Sequence, residues 1–291
     1  MKTNYEIKIR LQGHEKFALR EGWLAKGLKA VKLYPLVFQK EGTDILGVGT
    51  NMVKSIRFWL NVYGLIEENQ RSGAKLTSLG EIVFNYDRYF EDIFTIWMLH
   101  IIITSNSKEA TSWYIFFNKC ELEEFDKKTI FNYMKSELSK YLGNDEFSEN
   151  SLNSDIDVLL SMYSRNKIDD DPENNNISPF VRLELLKKSD DMIEKKRPDI
   201  RKVNEWVILL IVSKFLKDEN SISIDDAIMS ENGIAKITQL SSITINDLLD
   251  KLDMMGYIRI NRTAGLDMIY RTEKCDYNFD EIVRKYYMNR E

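Results

Sequence analysis

The residue types best suited to contact a nucleic acid gather in one short stretch. In TNMVKSIRFWLNVYG, Val53, Ile56 and Leu60 recur at helical spacing, with Trp59 on the same side. That register turns Thr50, Asn51, Lys54, Ser55 and Arg57 outward. Hydroxyl, amide, ammonium and guanidinium groups of this kind bond phosphates and base edges. The segment after it, LIEENQRSGAKLT, reads as a hairpin with Asn69, Gln70, Arg71 and Lys75 at or near its tip. A solvated helix used for protein contacts is the plain alternative. Gly47 and Gly49 precede the helix, but no Lys-Ser or Lys-Thr follows at phosphate-loop spacing, which argues against nucleotide binding there.

Carboxylates offer a second chemistry. Asp155 and Asp157 are the candidates for a catalytic Mg2+ or Mn2+, although residues two apart on a helix point to different faces. Glu91 and Asp92 suit a helix start, where the dipole favours them without a metal. Asp169, Asp170 and Asp171 lie in a polar run and read as solvated. No familiar nuclease spacing of carboxylates, lysine or histidine is present. His14 can bind phosphate or act as an acid, against turn packing. His100 sits in an apolar run and reads as a core histidine. Cys120 and Cys275 have neither a CxxC partner nor a neighbouring histidine, so packing is their default. Trp113, Tyr114, Phe116 and Phe117 have the spacing of a helix core.

These residues need elements to hold them. Tyr5, Ile7, Ile9 and Leu11 alternate with polar residues and predict a strand. A helical pattern runs over 16–38, with Pro35 ending its regular part. A tight turn at 47–49 leads into the helix capped by Thr50 and stopped by Gly64. The hairpin and a helix from Ser78 complete the order of a winged helix-turn-helix. Four helices follow, over 92–103, 109–117, 127–142 and 148–163. SRNKIDDDPENNNIS (164–178) reads as a linker. The last third repeats the first pattern. Helices are predicted over 204–217, 223–230 and 244–255, Gly256 stops the last, a hairpin turns near Gly265, and a short helix spans 280–289. Here the outward residues are Asn246, Asp247, Asp250, Lys251 and Asp253. Phosphates would repel three carboxylates, so this second module reads as a protein-contact scaffold, with Arg259 and Arg262 as surface charge.

The expected fold is therefore mainly α. Two winged helix-turn-helix modules with small β-hairpin wings flank a helical middle. The expected divisions are 1–85, 86–163, the linker 164–178, and 179–291. Charge follows them unevenly, at +5 over residues 1–85, −9 over 86–180 and −1 over 181–291. The whole chain, at −5 over 291 residues, is not a globally basic binder. Two cysteines and two histidines exclude a disulfide framework and a four-ligand zinc site. No apolar run reaches the roughly 18 residues of a membrane helix, and no secretory signal opens the sequence. A cytoplasmic protein is expected.

Several blocks carry a resemblance. HEKFALREGWLAKGLKAV, ILGVGTNMVKSIRFWLNVYGLIEE, LTSLGEIVF, WMLHIII, EATSWYIFFN and SENSLNSDIDVLLSMY occur in this order between residues 13 and 163. They resemble a bacterial family of domains of unknown function found in phage-defence islands. The family's genes lie beside a PAPS-reductase-like sulfurtransferase, an ATPase and a cysteine desulfurase. The resemblance is to the B component of single-strand DNA phosphorothioation systems. It implies a protein that engages and nicks DNA so that partners can install sulfur, with the sulfurtransferase and the ATPase as those partners. It supplies no catalytic motif to transfer residue by residue. Two other readings stay open: a divalent-metal-dependent nickase using Asp155 and Asp157, and a metal-independent adaptor or winged-helix transcriptional regulator.

Overall fold

The computed structural model describes residues 7–144, 146–164, 177–263 and 265–290. Helix predominates, and the strands form three small antiparallel sheets. The predicted opening strand does not form over residues 7–11, and the rest of it and most of the 164–178 linker lie outside the described residues. An alternating segment needs a neighbouring strand to take up its amides. Here side chains take them instead. The Arg10 amide donates to Thr111 Oγ1 (3.1 Å) and the Gln12 amide to Asp155 Oδ1 (2.7 Å).

Helix α1 (Trp23–Leu33) is shorter than the predicted 16–38. Glu15, Lys16 and Gly22 are left-handed and break the pattern before it, and the chain turns after Leu33 toward Pro35. Trp23, Leu24, Leu28 and Val31 form its buried stripe. Helix α2 (Gly42–Leu46) and helix α3 (Thr50–Val62) follow, separated by residues 47–49. Gly47 is left-handed, whereas Gly49 is extended and caps α3, so Thr50 is the first helical residue and not the cap. Val53, Ile56, Trp59 and Leu60 are buried, and left-handed Gly64 ends the helix as predicted. Strands β1 (Ile66–Asn69) and β2 (Gly73–Leu76) pair Ile66 with Leu76 and Asn69 with Gly73. Gly73 has φ 81°, and a Cβ there would lie 2.2 Å from the Pro35 carbonyl oxygen. That carbonyl accepts the Ala74 amide (2.7 Å), which fastens the hairpin to the turn after α1. Helix α4 (Ser78–Tyr86) starts where predicted and is capped by Thr77.

The middle helices are α5 (Ile93–Thr104), α6 (Thr111–Lys119), α7 (Lys127–Leu142) and α8 (Glu149–Tyr163). Asp92, Asp126 and Ser148 cap α5, α7 and α8. Strand β3 (Glu124–Asp126) joins β4 (Leu186–Ser189) and β5 (Met192–Lys195) in the order β3-β5-β4. Sequence reasoning missed this sheet, because its strands are only three or four residues long.

Helix α9 (Glu205–Leu216) packs against α5. Each has twelve residues and is buried on nearly all sides. Such helices form the centre of a fold. Among the described residues no helix is long and apolar enough to cross a membrane. The chain ends with β6 (Ser221–Ser223), α10 (Ile224–Met229), α11 (Ile234–Thr238), α12 (Ser242–Met254), β7 (Arg259–Thr263), β8 (Leu266–Tyr270) and α13 (Phe279–Met288). The three strands pair in the order β6-β8-β7.

The two ends repeat each other with a constant offset. α2 and α11 have five residues, three-residue turns follow, and α3 and α12 have thirteen. Gly47 and Gln239 are left-handed, as are Gly64 and Gly256. Over 42–66 and 234–258 the matched identities are Ile45 with Ile237, Leu60 with Leu252, Gly64 with Gly256 and Ile66 with Ile258. The shared residues define backbone and core, while the outward residues differ completely.

Candidate nucleic-acid interface

Thr50, Asn51, Lys54 and Arg57 form an exposed row on α3, and Gln70, Arg71 and Lys75 are exposed on the hairpin beside it. Ser55 is the correction. It is fully buried, with no hydrogen-bond partner for Oγ. It lies between Lys54 and the inward Ile56, and helix geometry turns it away from the face.

The face is less positive than its composition suggests. Arg57 is bound bidentately by Glu68 of β1, with Nε–Oε1 at 2.8 Å and Nη2–Oε2 at 2.6 Å. Asn61 Nδ2 donates to the same carboxylate (2.6 Å). Burial works to raise the Glu68 carboxyl, but bonds from Arg57 and Asn61 outweigh it and hold the group below the ordinary range. The same bond raises Arg57. Lys75 pairs with Glu67 (2.9 Å). Lys54 touches Asn51 Oδ1 at 3.5 Å, and Arg71 makes no ion pair among the described residues. Lys54 and Arg71 are therefore the cations left for a phosphate. Asn69 serves the turn, its Oδ1 accepting the Arg71 and Ser72 amides.

A cleft of about 650 Å³ continues from this face, lined by Arg10, Glu15, Lys54, Arg57, Glu68 and Glu109 among others. Lys8 and Arg10 both bind Glu109, and those bonds hold its carboxyl below the ordinary range. Beneath the cleft lies a buried polar cluster. His14 is stacked on Trp59 (centroids 6.0 Å) and edge-on to Trp113 (5.7 Å). Its Nδ1 accepts the Lys16 amide (3.1 Å), so Nε2 carries the proton and donates to Asp155 Oδ1 (2.8 Å). Ser112 Oγ donates to Asp155 Oδ2 (2.5 Å). With the Gln12 amide, Asp155 thus accepts three hydrogen bonds, which is what a buried carboxylate requires. His14 is a packed, bonded residue of the turn.

Asp157 lies on the other side of α8, half exposed and paired with Lys127 (2.6 Å). The two aspartates do not converge, so the metal expectation for this pair is corrected. Among the described residues, no group of three or more His, Cys, Asp or Glu is placed to hold a metal ion. Asp92 caps α5 and accepts Tyr286 Oη (3.0 Å). His100 is buried, accepting from Tyr163 Oη (2.7 Å) and donating to the Ile237 carbonyl (2.9 Å). Desolvation drives it down to about 3. Burial pushes the Cys120 and Cys275 thiols up, away from the reactive thiolate.

Sequence reasoning missed one cationic surface. Arg182, Lys187, Lys188, Lys196, Arg197 and Lys202 line a groove of about 800 Å³ with only Glu21 and Glu184 as acids. The net charge of the last third hides it, because the balancing acids lie elsewhere. Lys187 and Lys188 stand on β4, an edge strand, where lysine blocks unwanted pairing.

Helix α12 and strand β7 reverse the charges of α3 and β1. Asp250 of α12 accepts Arg262 of β7 (2.7 Å), and Asp253 accepts the Ile260 amide (3.2 Å). Asp247 is exposed, as are the large apolar side chains of Ile243 and Met254.

Comparison with known proteins bears on these features. The family described as "Protein of unknown function (DUF4007)" matches residues 11–287. Two solved structures share the fold. One, "Magnesium ion-bound SspB crystal structure", has a TM-score of 0.85 at 20% identity, covering 96% of this chain and 88% of that one. The other, "SspB crystal structure", has a TM-score of 0.82 with the same identity and coverage. No curated protein matches the sequence.

Proposed function

This chain belongs to the DUF4007 family, and from that membership we propose that it is the DNA-engaging component of a bacterial single-strand phosphorothioation system acting against phage in the cytoplasm. The observation that carries the reading is the α3 face, where Thr50, Asn51, Lys54 and Arg57 stand exposed beside a hairpin bearing Gln70, Arg71 and Lys75. A helix of this kind enters the major groove while the hairpin rests on the backbone. The SspB-like fold and the residue blocks shared with the defence-island family support the pathway. We read residues 1–85 and 179–291 as winged-helix modules, 86–163 as a helical middle and 164–178 as a linker.

The partners are a PAPS-reductase-like sulfurtransferase and an ATPase. The C-terminal module suits docking onto them, since it combines acids with exposed Ile243 and Met254. For the nicking part of the expectation, no group of three or more His, Cys, Asp or Glu among the described residues is placed to hold a metal ion. Asp155 is saturated by protein donors and Asp157 is paired with Lys127, so neither fits a Mg2+ or Mn2+ site. We derive no metal-dependent step.

The test is a gel shift on supercoiled plasmid in EDTA, Mg2+ and Mn2+, scored also for open circles. A Lys54→Glu/Arg71→Glu protein should bind more weakly and with a shallower salt slope, by about 0.9 for each phosphate no longer neutralised. Unchanged affinity and slope remove this face from the interaction. Divalent-dependent open circles would restore the nickase reading, and tight binding confined to one promoter sequence would favour a regulator.

A further inference from the structure

Another cavity, of about 670 Å³, reaches the C-terminal end of α3 at Tyr63 and Gly64. It lies where the start of α4, the end of α5, the end of α9 and the start of α13 meet. Its polar wall is unusual. Lys108, Lys214 and Lys217 line it, and Asp280 is its one acid. Among the described residues none of the three lysines forms an ion pair with a carboxylate. Three of the nearby hydroxyls are already committed, whereas the buried Tyr63 hydroxyl, also in the wall, has no hydrogen-bond partner. Thr77 donates to the Gly64 carbonyl, Ser105 to Ile101 and Ser213 to Leu210.

Lys214 is the anomaly. Its side chain is largely withdrawn from solvent, yet its partners are a carbonyl, Ile101 O at 3.3 Å, and the Phe279 ring with its centroid at 5.7 Å. Ammonium groups taken out of water are normally met by a carboxylate. Without one, desolvation lowers Lys214 to about 8. Helix α13 adds a second attraction for negative charge. Asn278 Oδ1 caps the Glu281 amide, and the Phe279 and Asp280 amides at the same end belong to the helix's unsatisfied first turn. Leu79, Ile102 and Phe279 give the wall an apolar portion.

We propose that this pocket binds a terminal phosphomonoester attached to an apolar or aromatic body, as in a mononucleotide or at the end of a nucleic-acid strand. Three lysines against one aspartate leave two positive charges, which matches the near −2 charge of a phosphomonoester at neutral pH. A carboxylate or a backbone phosphodiester, with a single charge, leaves one lysine unmet. The pocket volume lies in the range of small-ligand sites. The pocket shares no residue with the DNA face proposed above.

The test uses the full chain and calorimetric titration with inorganic phosphate, AMP, adenosine, and a short oligonucleotide with or without a 5′-phosphate. Binding of AMP at least 10-fold tighter than adenosine identifies a free nucleotide as the ligand. A 10-fold preference for the 5′-phosphorylated oligonucleotide, with AMP inert, identifies a strand end. In either case Lys214→Met should weaken binding at least 10-fold. The exposed pair Lys108→Ala/Lys217→Ala should do the same and guards against a folding failure at Lys214. Affinity should also fall between pH 7 and 9 as Lys214 loses its proton. Lys54→Glu should leave AMP binding unchanged and weaken the oligonucleotides with and without a 5′-phosphate alike, so failure of the DNA face and failure of this pocket are distinguishable. Equal binding of AMP and adenosine with no 5′-phosphate preference, no binding by any probe at millimolar concentration, or lysine variants without effect would overturn the proposal.

Discussion

Replacing Asp155 separates a structural carboxylate from a catalytic one. Its Oδ1 accepts the Gln12 amide at 2.7 Å and His14 Nε2 at 2.8 Å, and its Oδ2 accepts Ser112 Oγ at 2.5 Å. Asp155→Ala strands all three donors in a buried site. Each unsatisfied donor costs about 1–3 kcal/mol, and partial relaxation puts the total at roughly 3–6 kcal/mol. Asp155→Asn keeps the shape. Its carbonyl can take the Oδ1 position and keep two donors, while the Ser112 hydroxyl rotates to accept from the new amide. The acceptor's charge disappears, at about 1 kcal/mol per bond, or roughly 1–3 kcal/mol in total. Urea unfolding followed by circular dichroism measures both variants against the parent. The alanine protein should be the less stable by about 2 kcal/mol, close to the difference between the midpoints of the two ranges, with the two m-values alike. Equal costs for the two substitutions, or an alanine variant within about 1 kcal/mol of the parent, would refute the three-donor account. It would also reopen Asp155 as a residue held for chemistry.

Two further outcomes follow from the geometry. Gly73→Ala places a Cβ 2.2 Å from the Pro35 carbonyl at a residue with φ 81°, so it should cost roughly 2–4 kcal/mol through clash and left-handed strain; hydrogen exchange at the Ala74 amide, bonded to that carbonyl, should quicken most, and unchanged protection there would count against hairpin anchoring. His100, lowered to about 3 by burial in the folded chain, takes up its proton near 6.5 only when unfolded. Its contribution to stability is complete above pH 6.5 and falls as pH drops from 6.5 toward 3, by up to about 1.4 kcal/mol per pH unit. Unfolding free energies at pH 7 and 5 should show a steeper loss in the parent than in a His100→Gln protein, and parallel losses would contradict a buried neutral imidazole.

The sequence alone determined the local features. The 3.6-residue stripe of Val53, Ile56 and Leu60, the stop at Gly64, and the helix starts near residues 148 and 223 are short-range effects, written within one or two turns of chain. The charge contrast between the two outward helix faces was equally legible. The tertiary structure decided which of those residues remain available. Nothing near Arg57 announces that Glu68, eleven residues on, will neutralise it, because that contact depends on how β1 packs beside α3. Residues 7–11 alternate like a strand, yet the amides of Arg10 and of Gln12 just after them are met by Thr111 and Asp155, about a hundred or more residues away. Ser55 looks outward by type and is turned inward by the helix register. Lys214 reads as an ordinary lysine near the end of an apolar helix. Only the meeting of α5, α9 and α13 encloses it without pairing it to an acid and gives it a distinctive chemistry. Propensity and periodicity act over a few residues, whereas desolvation and ion pairing depend on which distant segments close over a side chain.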